Sequence, residues 1–176
     1  PMMSGEEPNC DLFSFVQIGA RPVFPPLECE DAETEGVRVT LAWAEEPADL
    51  DLYSYRVSMT NPQDTCLAYY CDQKELCGCM EFTNDVTTGG LNGTESISYC
   101  CNEPEVYMIY VDDESTEGRT IGESGARILL TEPTGTQTII TVDPTNVPSG
   151  TDARYWLAGC MVIEETVPQF TRVDQY

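Results

Sequence analysis

Val37, Val39, Leu41 and Trp43 alternate with Arg38, Thr40 and Ala42, and this period of two restricts the fold more than any other feature of the chain. Alternation at that period puts the large apolar residues on one side of an extended backbone, so the segment is expected as a half-buried strand. A second run starts at Leu50 and Leu52. From Tyr53 its large residues fall at Tyr53, Tyr55, Val57 and Met59, one step out of phase, which predicts a β-bulge near Leu52. Residues 95–100, 106–112, 126–131, 138–142 and 155–163 are rich in β-branched and aromatic residues and are separated by Gly, Pro, Asn and Asp clusters. Seven short strands without an amphipathic helix predict an all-β fold, an antiparallel β-sandwich over residues 37–163. Glu132-Pro133-Thr134-Gly135 has the Pro and Gly of a β-turn and predicts a hairpin between the runs at 126–131 and 138–142.

Three segments lie outside that pattern. Residues 1–36 read as an extended N-terminal arm, because Pro22, Pro25 and Pro26 fix their own φ and push their predecessors away from helix. The arm is apolar at Leu12–Val16 and around Val23 and Phe24, so it is expected to lie along a surface. Residues 61–94 form a cysteine-rich insertion without strand periodicity, and 164–176 read as a C-terminal tail.

Nine cysteines in 176 residues place the chain in an oxidising compartment, secreted or at a cell surface. Cys10, Cys29, Cys66, Cys71, Cys77, Cys79, Cys100, Cys101 and Cys160 are expected to form disulfides, with the pairing open. One is left over, buried as a thiol or joined to another chain. Zinc is set aside, since there is no histidine and no pair of CxxC knuckles.

A formal charge of −23, from 31 acidic and 8 basic residues, repels phosphate backbones and anionic lipid heads. Nucleic acid and membrane insertion are therefore not expected, and cations are. Asp49 and Asp51 are two apart, so on a strand both point to one side while Leu50 and Leu52 point to the core. Two carboxylates that close repel each other unless a cation is shared, and calcium takes six to eight oxygen ligands. The polar stretch from Asn84 to Glu95 contains Gly89, Gly90 and Gly93 and supplies further oxygens. The candidate calcium ligands are Asp49, Asp51, Asp85, Asn92 and Glu95. Asn92-Gly93-Thr94 is also the one Asn-x-Ser/Thr sequon, so glycosylation of Asn92 competes with its ligand role.

The order Leu41-x-Trp43, Asp49-Leu50-Asp51-Leu52, Asp85 to Asn92-Gly93-x-Glu95, then Val106-Tyr107-x-Ile109-Tyr110-Val111 resembles the YfaP-like β-sandwich domains of secreted bacterial and algal-type proteins. The resemblance covers residues 37–163. It implies that the two aspartates and the later acidic loop meet at one end of the sandwich on calcium. Tyr53 departs from it, standing where such domains have a histidine, and so does the cysteine-rich insertion.

With no histidine and Lys74 the single lysine, the usual general bases are missing, and two carboxylates on one strand face cannot flank a scissile bond. The chain is not expected to be an enzyme. It begins at Pro1 and is expected to be a processed form or a piece of a longer product. The expected function is a secreted, calcium-binding structural subunit of an extracellular fibre or surface coat. Its N-terminal arm would dock on a neighbouring subunit, making a homo-oligomer or polymer. The alternative is a monomeric calcium-dependent carbohydrate-binding or adhesion module, with Tyr53, Tyr55, Tyr69 and Tyr70 as stacking platforms.

Overall fold

The computed structural model describes residues 36–44, 47–58, 65–68, 80–84, 86, 94–99, 105–115, 121–147, 154–164 and 167–176. These residues form an all-β chain of ten strands. They are β1 (Val37–Ala42), β2 (Leu50–Ser58), β3 (Thr65–Ala68), β4 (Met80–Asn84) and β5 (Thr94–Tyr99), then β6 (Glu105–Asp113), β7 (Arg127–Thr131), β8 (Gln137–Thr141), β9 (Tyr155–Glu164) and β10 (Val167–Gln175). They make two five-stranded sheets, ordered β4-β5-β1-β7-β8 and β10-β9-β6-β2-β3. Every pairing is antiparallel.

The alternation in β1 explains the first sheet. Val37, Val39 and Leu41 are buried while Arg38 and Thr40 turn outward. Ile97 and Tyr99 on β5 and Ile128 and Leu130 on β7 share the inner side. Leu50, Leu52, Tyr107, Ile109, Val111 and Trp156 of the second sheet meet them in one cluster. Tyr99 and Tyr107 pack edge to face across this core with ring centroids 4.8 Å apart. Burial drives both phenols well above their ordinary pKa.

Strand β2 corrects the expected bulge. It pairs with β6 from Leu50↔Asp113 to Ser58↔Glu105 with no break in register. Leu50, Leu52 and Ser54 face the core throughout, and Tyr53, Tyr55 and Val57 face outward, so the phase change at Tyr53 marks a second apolar face. A bulge does occur in β9. Ile109 pairs with Gly159 and Tyr110 with Leu157, leaving Ala158 as the extra residue. The inward set accordingly shifts from Trp156 and Ala158 to Met161 and Ile163. Gly159 is required there, because a Cβ would lie 2.2 Å from the Thr171 carbonyl oxygen and 2.6 Å from the Phe170 ring.

Two further expectations change. The insertion 61–94 contains β3 and β4, which extend one sheet each as edge strands. Four or five residues are too few to show a period, although Cys66, Ala68, Met80 and Phe82 are all buried. Residues 164–176, read as a tail, largely form β10, hairpin partner of β9. The expected β7–β8 hairpin is present. Gly135 sits at φ 84° and its N–H donates to the Glu132 carbonyl at 2.8 Å, closing a turn that a left-handed glycine permits. Of the expected N-terminal arm, 1–36, residues 1–35 lie outside the described residues.

Candidate functional site

The Asp49-Leu50-Asp51-Leu52 segment enters β2 from a turn held by the Trp43 indole N–H, which donates to the Pro47 carbonyl at 3.1 Å. Alternation then places Leu50 and Leu52 in the core at no measurable exposure. Asp51, on the outer face, stands directly opposite Asp112 of β6. Both are buried, and like charges facing each other across a ladder repel.

Arg154, the residue before β9, answers part of that repulsion. Its Nε donates to Asp112 Oδ1 at 2.8 Å and its Nη2 to Asp112 Oδ2 at 3.3 Å, and Nη2 also donates to Glu114. Burial nevertheless holds the Asp112 carboxyl above its usual pKa, against the lowering effect of Arg154. Asp113 is raised for the same first reason, opposed by hydrogen bonds from Ser115. Ser115 also ties this end of the sheet to the candidate site: the Asp49 N–H donates to its Oγ at 2.9 Å, and its hydroxyl donates to the Asp49 carbonyl at 3.2 Å.

Glu95 is the most deeply buried of the expected ligands, with no exposed surface. It comes from β5 in the other sheet. The Leu52 N–H donates to Oε2 at 2.7 Å and the Val86 N–H donates to Oε1 at 3.1 Å. Strand β3 pairs β2 only from Ser54 onward, so among the described residues no strand lies beside Leu52 on that side to accept its N–H. One carboxylate therefore joins the Leu50–Leu52 stretch of β2, strand β5 of the first sheet and Val86.

Of the expected ligands, Asp49, Asp51 and Glu95 are described, and Asp85 and Asn92 lie outside the described residues. Cys10, Cys29, Cys71, Cys77, Cys79, Cys100 and Cys101 also lie outside them, as do the tyrosines at 69 and 70. Among the described residues no group of three or more His, Cys, Asp or Glu side chains is arranged to hold a metal ion, and no helix is long and apolar enough to cross a membrane.

Sequence reasoning missed the cluster of Asp112, Asp113, Glu114 and Arg154. Its signal was the acidic run that ends an apolar strand, which antiparallel pairing with β2 brings beside Asp49 and Asp51. No family model, curated protein or solved structure matches the chain.

Proposed function

We propose that the chain is a secreted structural subunit of an extracellular fibre or surface coat, a disulfide-braced β-sandwich with calcium at the Asp49 and Asp51 end. The observation that carries the structural reading is the use made of Glu95. A fully buried carboxylate that accepts backbone N–H groups at both oxygens holds two sheets and a loop together, and it is a scaffold element. Asp112 is engaged in the same way, by Arg154.

In this proposal Glu95 positions the acidic loop, and calcium is held by Asp49, Asp51 and the loop residues Asp85 and Asn92, a glycan at Asn92 being the competing use of that residue. Such a site fits the strongly acidic surface and the resemblance to YfaP-like domains. The binding-module alternative is weakened at Tyr53, whose ring stacks on Tyr110 at a centroid distance of 4.8 Å and is already occupied. The disulfide framework belongs to the same proposal, with Cys66 on β3 and Cys160 on β9, both buried, among its members.

Electron microscopy and light scattering of the native secreted material test the subunit reading. Fibres, sheets or large oligomers are expected, and a uniform monomer would contradict it. Calcium is tested separately by melting in excess chelator. A ligand bound only by the folded state stabilises it by mass action, so chelation should lower Tm by several degrees. An unchanged Tm would remove calcium from the proposal.

A further inference from the structure

We propose that the free edge of β8 is the contact through which two copies of this chain associate, β8 of one pairing antiparallel with β8 of the other.

The ladder fixes which backbone groups face that edge. The Glu132 N–H donates to the Thr136 carbonyl and the Val142 N–H to the Ala126 carbonyl, both at 2.9 Å, and the register between them is unbroken from Arg127↔Thr141 to Thr131↔Gln137. Directly bonded pairs alternate along an antiparallel ladder, so Thr138 and Ile140 turn their N–H and C=O toward β7, while Gln137, Ile139 and Thr141 turn theirs away. The Arg172 guanidinium agrees with this direction, since it donates to the Thr141 carbonyl at 2.9 Å from the side away from β7. Among the described residues β7 is the only strand beside β8. The edge is open to solvent: Gln137, Thr138 and Ile139 are exposed, and Ile139 at 60% is the most exposed large apolar side chain among the described residues.

Among the four edge strands of the two sheets, β8 stands apart. A free edge templates pairing with another chain unless it is shortened, charged, bulged or broken by proline. Strand β10 carries Pro168, Arg172 and Asp174 and shifts register after Arg172. Strand β4 carries Glu81 and shifts register after Phe82. Strand β3 is only four residues long. Strand β8 has none of these devices in its own sequence: Gln137, Thr138, Ile139, Ile140 and Thr141 include no proline and no charge, four of them are β-branched, and their register is regular. Arg172 covers the Thr141 carbonyl alone, and a carbonyl oxygen with two lone pairs can still accept a second donor.

Charge and symmetry name the occupant. The chain carries −23, so two copies repel over most of their surface. Residues 133–142 contain no charged side chain and span the whole of β8, so a second copy approaches there against the least repulsion. The strand is also its own complement. With Ile139 on a two-fold axis, the Ile139 backbone of each copy bonds that of the other, and Gln137 of each bonds Thr141 of the other. The outward N–H and C=O groups are then paired, and the two exposed Ile139 side chains meet on the outer face. In that register Asp143 falls opposite the second copy's Gly135 and Glu132 opposite the second copy's Asn146, so no like charges stand directly across the contact.

Sedimentation equilibrium of the full chain across a wide concentration range, in chelator, tests the contact, with Ile139→Lys and Ile139→Pro alongside. Lysine leaves the backbone intact and sets two like charges at the axis, and proline removes an N–H that β7 does not use. The expected result is a reversible dimer that tightens as salt screens the net charge, and that both variants weaken roughly tenfold or more while keeping the far-UV circular dichroism of the parent chain. Hydrogen exchange should slow at the Gln137 and Ile139 amides as the dimer fraction rises. A monomer at every concentration would overturn the proposal, as would a dimer that Ile139→Lys leaves equally tight. Protection that appears on association at β3, β4 or β10 and not at β8 would overturn it too. The proposal goes beyond the subunit reading and does not rest on it. Dimers without fibres would remove that reading and keep this contact, whereas fibres whose Ile139 amide exchanges as in the monomer would do the reverse.

Discussion

The outer faces of the two sheets behave in opposite ways, the first built from strands of five or six residues and the second chiefly from strands of nine or ten. On the β4-β5-β1-β7-β8 sheet the outward residues are Arg38, Thr40, Ser96, Arg127 and Thr141, with Thr40 and Ser96 hydroxyls 2.9 Å apart in a hydrogen bond. Ile139 projects there at 60% exposure. On the β10-β9-β6-β2-β3 sheet the outward residues of β6 are as buried as most inward ones, and the strand shows no polar alternation until Asp112. One face is a protein surface and the other is a second core. The lesson is that strand alternation reports a solvated face, and its loss reports a covered one.

Truncations at the two faces should give the largest contrast. Met108→Ala is expected to cost about 2–4 kcal/mol, in the range of buried large-to-small changes and close to Met161→Ala on the inner side of the same sheet. Ile139→Ala on the exposed face should fall within about 0.5 kcal/mol. Urea titration reads all three, and equal costs for Met108 and Ile139 would abolish the distinction between the faces.

Glu95→Gln sharpens the comparison at the joint between the sheets. The glutamine NH2 would be turned toward one of the two backbone N–H donors and leave it buried without an acceptor, at a cost of about 1–3 kcal/mol. An unchanged urea midpoint would mean that the joint does not hold the sheets.

Arg154→Ala tests the polar end of the covered face. It removes the guanidinium from buried Asp112, but Arg154 is itself 49% exposed and screened by solvent, so about 1–2 kcal/mol is expected. Asp112→Asn in the Arg154→Ala background should recover part of that loss, and failure to do so would show that the charge is not what Arg154 neutralises.

The smallest effect is on pH dependence. Burial raises the folded pKa of Asp112 and Asp113 above 3.8, so over that window the folded chain binds more protons than the unfolded one. Stability from these two groups is complete below 3.8 and is lost as pH rises through the raised values. In chelator, Asp112→Asn with Asp113→Asn should flatten the fall in Tm as pH rises above 3.8, and an unchanged pH profile in that variant would contradict the assignment.

Much of the fold is legible in the residues because half-buried strands announce themselves. The β1 alternation and the runs at 95–100, 106–112, 126–131, 138–142 and 155–163 all correspond to strands. What was not legible has physical reasons. Apolar residues on both faces of β2 imitate a bulge, while the bulge in β9 hides behind Ala158 and Gly159, whose small side chains mark no phase. Strands β3 and β4 are too short for a period, and Pro168 and Asp174 disguise β10. In the candidate site, the same-side placement of Asp49 and Asp51 follows from spacing alone. The pairing of Asp51 with Asp112 depends on register, which no local pattern encodes. The full burial of Glu95 and its two backbone N–H donors depend on tertiary placement, which no local pattern encodes.

The rate of methionine oxidation by hydrogen peroxide addresses the second core most directly, because Met108 and Met161 occupy adjacent strands on opposite sides of one sheet. If the outer face of β9, β6 and β2 is covered, both methionines should react many times more slowly in the folded protein than in the urea-unfolded chain, and at comparable rates. Met108 reacting as fast as in the unfolded chain while Met161 stays protected would show that this face is open to water.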